Sequence, residues 1–326
     1  MAEQVEADKV IEILLGHKLE FARGFLKDSG LPADGTKEGI GARLNDAVED
    51  GTVSVADLVR YLDDIEGWGN QHVYLVRAPA EILARWRDLK KATAILEKNE
   101  LLALLNKAKP VFLPARPTLA TIELDTKRAR FVWVVKRSWE EHVEERDTTD
   151  GDWTYRAYVK RTGRGILSFD WDLGSGVGMI MIQRLPSSTN YERVRNELML
   201  EMRDVIELSQ FEPIRIAGAI TRIAKSSEVD VRKHVRETRK GGKATLQSRS
   251  RKSAVKDDPD LRNAEAALGA KTVGNHLNVY WLPTPKKELP TRLHTTLHTK
   301  DHRIGIYGDR TEDEVRYVIG RIRSYC

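Results

Sequence analysis

Three sets of side chains have the types and spacing to do chemistry. His294, His298 and His302 recur at every fourth position. On a helix, neutral imidazoles at that spacing can ligate zinc. The segment around them is Thr-rich and reads as extended, and in a strand four residues span about 13 Å. That is too far to share one ion, so surface histidines are expected and no metal is called for. Asp125-Thr126-Lys127, within Glu123–Lys127, has the look of an acidic-x-Lys nuclease element, and Asp170-Trp171-Asp172 could be a second carboxylate pair at a strand end. Nucleases of that kind use such carboxylates to hold magnesium against phosphate. Asp125 also suits the first position of a hairpin turn, which accounts for it without chemistry.

The third set is a run of cations. Between Ile214 and Lys256 there are thirteen Lys/Arg against three Asp/Glu, a net of +10, whereas the whole chain nets +5. Such asymmetry favours a polyanionic partner. The run contains Arg232, Lys233, Arg236, Arg239, Lys240, Lys243, Arg249, Arg251 and Lys252. On a helix, Arg232, Arg236, Arg239 and Lys243 would line one face and could track a phosphate backbone. Gly241-Gly242 would break that helix before Lys243. Six phosphate contacts on duplex DNA would give a log K against log salt slope of about −5. A solvated loop and an acidic protein partner are the competing readings. Arg161 and Arg164, beside glycines in Thr162-Gly163-Arg164-Gly165, are further candidates for phosphate. Trp133, Trp139, Trp153, Trp171 and Tyr155 lie among these cations. They could stack single-stranded bases, although aromatics alternating along strands are more often core.

Nothing points to a nucleotide cofactor. Gly174-Ser175-Gly176-Val177-Gly178 lacks a following Lys-Ser/Thr, and Gly241-Gly242-Lys243-Ala244 lacks the first glycine of a phosphate loop.

The elements that would position these groups change character near residue 110. Residues 1–110 read as helical. Leu19, Ala22 and Leu26 share a helical face, Gly30-Leu31-Pro32 ends that helix, and Thr36 can N-cap the next, with Ile40, Leu44 and Val48 apolar. Val53 to Ile65 is amphipathic, Gln71-His72-Val73-Tyr74-Leu75 fits helix or strand, and Pro79 opens a long helix through Lys91. After Pro110, Pro114 and Pro117 the apolar period shifts toward two. Thr118–Leu124 and Arg130–Arg137 read as a hairpin. Trp153–Lys160 and Ile166–Trp171 read as a second pair turning at Thr162–Gly165, with a charged loop from Trp139 to Asp152 before it. Val177–Gln183 fits strand or helix. Tyr191–Leu208 reads as a helix, 229–259 as a basic, flexible and partly helical insert, and Asp260–Leu268 as a short helix. Three closing strands and a helix capped by Thr311 follow.

The run Gly30-Leu31-Pro32-x-x-Gly35-Thr36-Lys37-x-x-Ile40-x-x-Arg43-Leu44 resembles the SAP motif, a helix–extended turn–helix module of DNA-associated proteins. The resemblance covers about 35 residues. It implies that Thr36, Lys37 and Arg43 face the DNA backbone, with Lys18, Arg23 and Lys27 nearby. From Lys9 to Asp50 the charge is nonetheless −2, six Lys/Arg against eight Asp/Glu, so a helical packing module is the plain alternative. In element order alone, the whole chain is similar to the centromere protein N family. There a helical bundle precedes a mixed α/β domain, and a basic groove between them faces nucleic acid.

The fold class expected is α+β. A helical SAP-like domain at 1–110 would precede a mixed, mainly antiparallel sheet domain at 111–326 with a C-terminal helix. The expected activity is non-enzymatic DNA binding, mainly to the phosphate backbone, with duplex favoured and single strands or RNA possible. It would serve within a DNA-organising, DNA-processing or defence assembly. A protein-interaction adaptor and a metal-dependent nuclease using Asp125, Lys127 and Asp170 are the rivals. The one cysteine, Cys326, permits no intramolecular disulfide. The polar N-terminus does not read as a targeting signal. A cytoplasmic, nucleoid-associated or nuclear location is expected, with no membrane contact.

Overall fold

Apolar residues three and four apart close the first core. The computed structural model describes residues 2–184, 190–238, 240–248, 253–269 and 272–326. Its first four helices are α1 (Ala2–Gly16), α2 (Leu19–Asp28), α3 (Lys37–Glu49) and α4 (Val55–Trp68). Val10, Leu14, Ala22, Leu26, Ile40, Leu44 and Leu58 are fully buried between them. Thr36 and Ser54 cap α3 and α4 by accepting from the amides of Gly39 and Asp57 at 3.3 and 3.1 Å.

The turn between α2 and α3 is held from inside by Arg43. Its guanidinium donates to the carbonyls of Pro32, Asp34 and Gly39. Gly35 sits at φ +110, and a Cβ there would lie 2.8 Å from Arg43 Nη2. Replacing Arg43 with Ala should therefore open this turn and cost about 1–2 kcal/mol, from several charge-assisted hydrogen bonds lost at a part-exposed site. Urea unfolding against the unaltered protein checks this. An unchanged midpoint would show that Arg43 is free for other partners.

Gln71–Arg77 is a strand, β1, buried at every position but the last. Helices α5 (Ala80–Arg87) and α6 (Leu89–Lys98) stand where one long helix is expected. Asp88 divides them. Its carboxylate accepts from the amides of Lys90 and Lys91, an N-cap that starts a new helix. The strands β2 (Thr118–Leu124), β3 (Arg128–His142), β4 (Thr148–Asp150), β5 (Trp153–Tyr155), β6 (Tyr158–Asp172) and β7 (Val177–Gln183) follow. Then come α7 (Tyr191–Glu201), β8 (Glu212–Pro213), α8 (Ala217–Ala224), β9 (Val229–Thr238), β10 (Lys243–Gln247), α9 (Pro259–Leu268), β11 (Thr272–Trp281), β12 (Leu293–His298), β13 (Arg303–Tyr307) and α10 (Glu312–Ser324).

The fold is α+β. Eleven strands of the described residues form one antiparallel sheet in the order β10-β9-β11-β12-β13-β1-β7-β6-β3-β2, with β8 also on β1. β1 lies inside the stretch read as helical, yet it pairs with β13 on one side and β7 on the other. The α2–α3 and sheet elements otherwise follow the expected order.

Two expectations for the sheet are corrected. Thr162-Gly163-Arg164-Gly165 is not a turn, because β6 runs through it opposite β3. A Cβ at Gly165 would strike the Arg137 side chain at 2.3 Å, so the glycine serves cross-strand clearance. The segment after Trp139 is not simply a loop either. β3 and β6 continue beyond the core as a two-stranded ribbon, with the short β4–β5 hairpin beyond it.

Helices cover the sheet unequally. On one face, Val73, Leu75, Met179, Met181, Leu277, Val279, Leu297, Ile304 and Ile306 meet α8, α10 and Trp68. On the other, Val76, Phe131, Trp133, Phe169, Trp171, Ile180 and Ile182 meet Trp86, Leu96 and Leu198 from α5, α6 and α7. That second core stops at β1. Across β11, β12 and β13 the buried apolar side chains turn to the first face, and the second face is mainly polar.

Among the described residues no helix is long and apolar enough to cross a membrane.

Candidate nucleic-acid interface

Alternation along three short strands builds this polar face. His276, Asn278 and Tyr280 on β11 alternate with Leu277, Val279 and Trp281. His294, Thr296 and His298 on β12 alternate with Leu293, Thr295 and Leu297. Arg303, Gly305 and Tyr307 on β13 alternate with Ile304 and Ile306. The register sets Tyr280, His294 and Tyr307 directly opposite one another. Their rings stack at centroid distances of 4.7 and 4.4 Å, with interplanar angles of 15° and 26°. A guanidinium closes each end, Arg232 at 5.6 Å from the Tyr280 ring and Arg184 at 4.5 Å from the Tyr307 ring. The result is a five-membered ladder, Arg–Tyr–His–Tyr–Arg, running across the sheet.

A bulge supplies the first rung. The pairing of β11 with β9 skips Arg232, since Asn278 faces Lys233 and Val279 faces Val231. The extra residue re-aims its side chain. Arg232 reaches Tyr280, and Lys233 stands opposite Asn278 on the same face.

A second row lies alongside. His276 and His298 are opposite each other with Nδ1 atoms 3.1 Å apart, and His298 faces Arg303. Beyond β13, Tyr74 faces Arg303 and His72 faces Gly305. These histidines are neutral near pH 7. Burial, helped by Arg303, Arg184 and His298, pushes His72 down to about 3. Burial pushes His276 to about 4, with His298 and Lys233 adding. Burial does the same to His294, with Arg184 and Arg232 adding. His298 is lowered by burial and then by Arg303. The positive charge of the face therefore rests on its guanidinium and ammonium groups.

The residues singled out in the sequence are scattered by the fold. Lys18 pairs with Asp309 at 2.7 Å, and that contact raises its pKa. Thr36 is an exposed N-cap, and Arg43 is a turn clamp whose guanidinium is engaged by three carbonyls. Lys27 and Lys37 are exposed. Arg161 is exposed and paired with Glu141 at 2.7 Å. Arg164 is buried against Asp63 and Glu66, which corrects its reading as a phosphate contact. The basic run is a β-hairpin rather than a helix or flexible insert where it is described, so its supposed cationic stripe does not form. Arg236 points to the other face from Lys233, buried and donating to Thr272 Oγ1 at 2.6 Å and the Gly269 carbonyl at 2.7 Å. Lys240 and Lys243 are exposed at the hairpin's turn. Arg239, Arg249, Arg251 and Lys252 lie outside the described residues. Of the cations singled out in the sequence, Arg232 and Lys233 alone meet on the polar face among the described residues.

The rival chemistries fare differently from one another. Asp125 accepts from the amides of Lys127 and Arg128, as a turn residue does. Asp170 is buried between Arg128 and Arg316, so it is not held ready for magnesium. His294 and His298 lie four residues apart on β12, with His302 in the following turn at φ +54. Among the described residues no group of three or more His, Cys, Asp or Glu is placed to hold a metal. Trp133 and Trp171 are core, whereas Trp153 and Tyr155 are 73% and 57% exposed beyond the ribbon.

Arg184, Tyr280, Arg303 and Tyr307 were not picked out from sequence. For Tyr280, Arg303 and Tyr307 the signal was present, because polar or aromatic residues alternate with mainly apolar ones in all three strands. Arg184 lies just past β7 and carries no such signal.

No protein-family model matches the chain, and no curated protein matches it.

Proposed function

We propose that the chain binds DNA or RNA on the open face of β9, β11, β12 and β13, largely through the phosphate backbone and without chemistry on it. The Arg232–Tyr280–His294–Tyr307–Arg184 ladder is the observation that supports this reading. It presents guanidinium groups at both ends of a row of ring edges, with Lys233 beside it and Lys240 and Lys243 at the adjoining hairpin turn. Carboxylates are fewer there, and Asp230 and Asp301 are already paired with Lys256, Arg292 and Arg303. A face several strands wide is too broad for the major groove, which admits a helix or a two-stranded ribbon. It suits an extended single strand better, as sheet-borne aromatics and cations do in other folds. The α2–α3 module contributes Lys27 and Lys37 at most.

Binding of one labelled sequence as single-stranded DNA, RNA and duplex, over a salt series, tests this. We expect the single strand to bind best. Each phosphate neutralised adds about −0.7 to its salt slope. Changing Arg184, Arg232 and Lys233 together to Gln should flatten that slope by about 2. An unchanged slope would remove this face from the reading. Magnesium-dependent cleavage would replace binding with the nuclease alternative.

A second reading rests on Trp153, Tyr155 and Tyr158, each more than half exposed. Exposed aromatics of this kind anchor protein partners, and Trp153→Ala would then leave nucleic-acid affinity unchanged.

A further inference from the structure

Beside the ladder, buried polar atoms without partners gather in one place. Among the described residues they are His72 Nδ1, Tyr74 OH, Arg195 Nε, Asp301 Oδ1 and His302 Nδ1. His72 and Tyr74 are only 6% and 4% exposed. Register and ring contacts bring the key members together. Tyr74 faces Arg303 across β1 and β13. The Arg195 guanidinium lies 5.1 Å from the Tyr74 ring, and that of Arg303 lies 5.4 Å from the Tyr191 ring. The His72 ring is 4.2 Å from that same Tyr191 ring. Buried hydroxyls and imidazoles nearly always have a partner in folded proteins. An unpartnered set at one point marks a place where something else binds.

The chemistry of the set selects an anion. Arg195 and Arg303 supply positive charge, and the one carboxylate, Asp301, meets Arg303 alone at 3.3 Å. The Tyr74 hydroxyl and the guanidinium N–H groups donate from different elements, α7, β1 and β13. A tetrahedral oxyanion accepts from several directions at once, which a planar carboxylate does less well. Depth selects which phosphate. Tyr74 and His72 are more than nine-tenths buried, so an internal phosphate with sugars on both sides cannot reach them. A terminal phosphate carries a sugar on one side only and needs the narrower opening.

We propose that His72, Tyr74, Arg195 and Arg303 receive the terminal phosphate of a strand lying on the β9–β13 face; this rests on the nucleic-acid reading above. The protein would thereby distinguish phosphorylated strand ends from hydroxyl ends.

The test uses the full chain and three forms of one short single strand, carrying a 5′-phosphate, a 3′-phosphate or neither. One phosphorylated form should bind about tenfold more tightly than the unphosphorylated one, the scale of one charge-assisted contact. Tyr74→Phe and Arg195→Gln should each bring that ratio close to one. Tyr307→Ala should weaken all three forms alike and leave the ratio standing. In the free protein Tyr74→Phe should not lower the unfolding midpoint, because the hydroxyl removed has no partner. Equal affinity for the three forms would overturn the proposal while leaving the nucleic-acid reading intact, and so would a ratio that survives both variants. No binding of any form would overturn both.

Discussion

Arg164→Ala should destabilise the protein by about 3–5 kcal/mol, the cost of removing one partner from a buried ion cluster. The Arg164 side chain is 3% exposed, and its two carboxylate partners on α4, Asp63 and Glu66, are 5% and 4% exposed. Its Nε donates to the Val111 carbonyl at 3.0 Å. Glu66 also meets His17 at 3.2 Å. Without the guanidinium, two carboxylates would share a site closed to water. Burial already raises the Asp63 pKa despite Arg164 beside it, so the variant should take up a proton and its loss of stability should shrink as pH falls. Urea unfolding at two pH values measures this. A loss below about 1 kcal/mol would show that water reaches the cluster and screens it. Where the variant is still folded, its affinity for nucleic acid should match that of the parent, since this arginine faces inward.

Stability should also fall as pH drops from about 6.5 toward 4. His72, His276, His294 and His298 all have folded pKa values below the ordinary 6.5. Between the folded and unfolded values the unfolded chain binds protons that the folded chain refuses. Stability due to these rings is complete above about 6.5 and is lost as pH falls through their folded values. A fully shielded imidazole would cost about 1.4 kcal/mol per pH unit. These rings keep some hydration, so roughly 2–4 kcal/mol for all four by pH 5 is the expected scale. Asp63 acts in the opposite sense, as one group against four. Carboxylates with lowered pKa, such as Glu265, act only below the usual 4.5. Thermal midpoints at pH 7.5 and pH 5 check the drop, and His72→Gln with His276→Gln should shrink it. A midpoint independent of pH over this range would mean that the rings are solvated and the face is wetter than its packing suggests.

The elements legible in the sequence were those whose signals are local. Thr36 and Thr311 mark helix starts, and the helices begin there. Alternation at Thr118–Leu124 and Leu277–Leu282 marks strands, and strands form. The misreadings share one cause, which is tertiary contact overriding local propensity. Gly163 and Gly165 look like a turn, but they are clearances for Trp139 and Arg137 across a continuous ladder. Arg232, Arg236 and Lys243 fit a helical stripe, but pairing with β11 draws them into a hairpin and divides them between its faces. The candidate site was half visible. Its histidines were noticed for metal chemistry, yet their use came from the register, which brings Tyr280, His294 and Tyr307 from three separate strands into line. No spacing within one strand could reveal that.

The placing of β1 has a kinetic consequence. Its pairing with β7 spans seven residue pairs, but its pairing with β13 spans three. Asn70 and Gly308, which hydrogen-bond beside that short junction, are 238 residues apart in the chain. The two halves of the sheet are each assembled mainly from neighbours in sequence, whereas the junction closes a very long loop. Loops of that length make the pairing slow to form even where it is stable once made. During synthesis the β1-β7-β6-β3-β2 half can be complete while β13 is still unmade, leaving an edge of β1 without its partner. Such edges invite pairing with other chains. Pairing with the late-made β13 covers that edge in the finished fold.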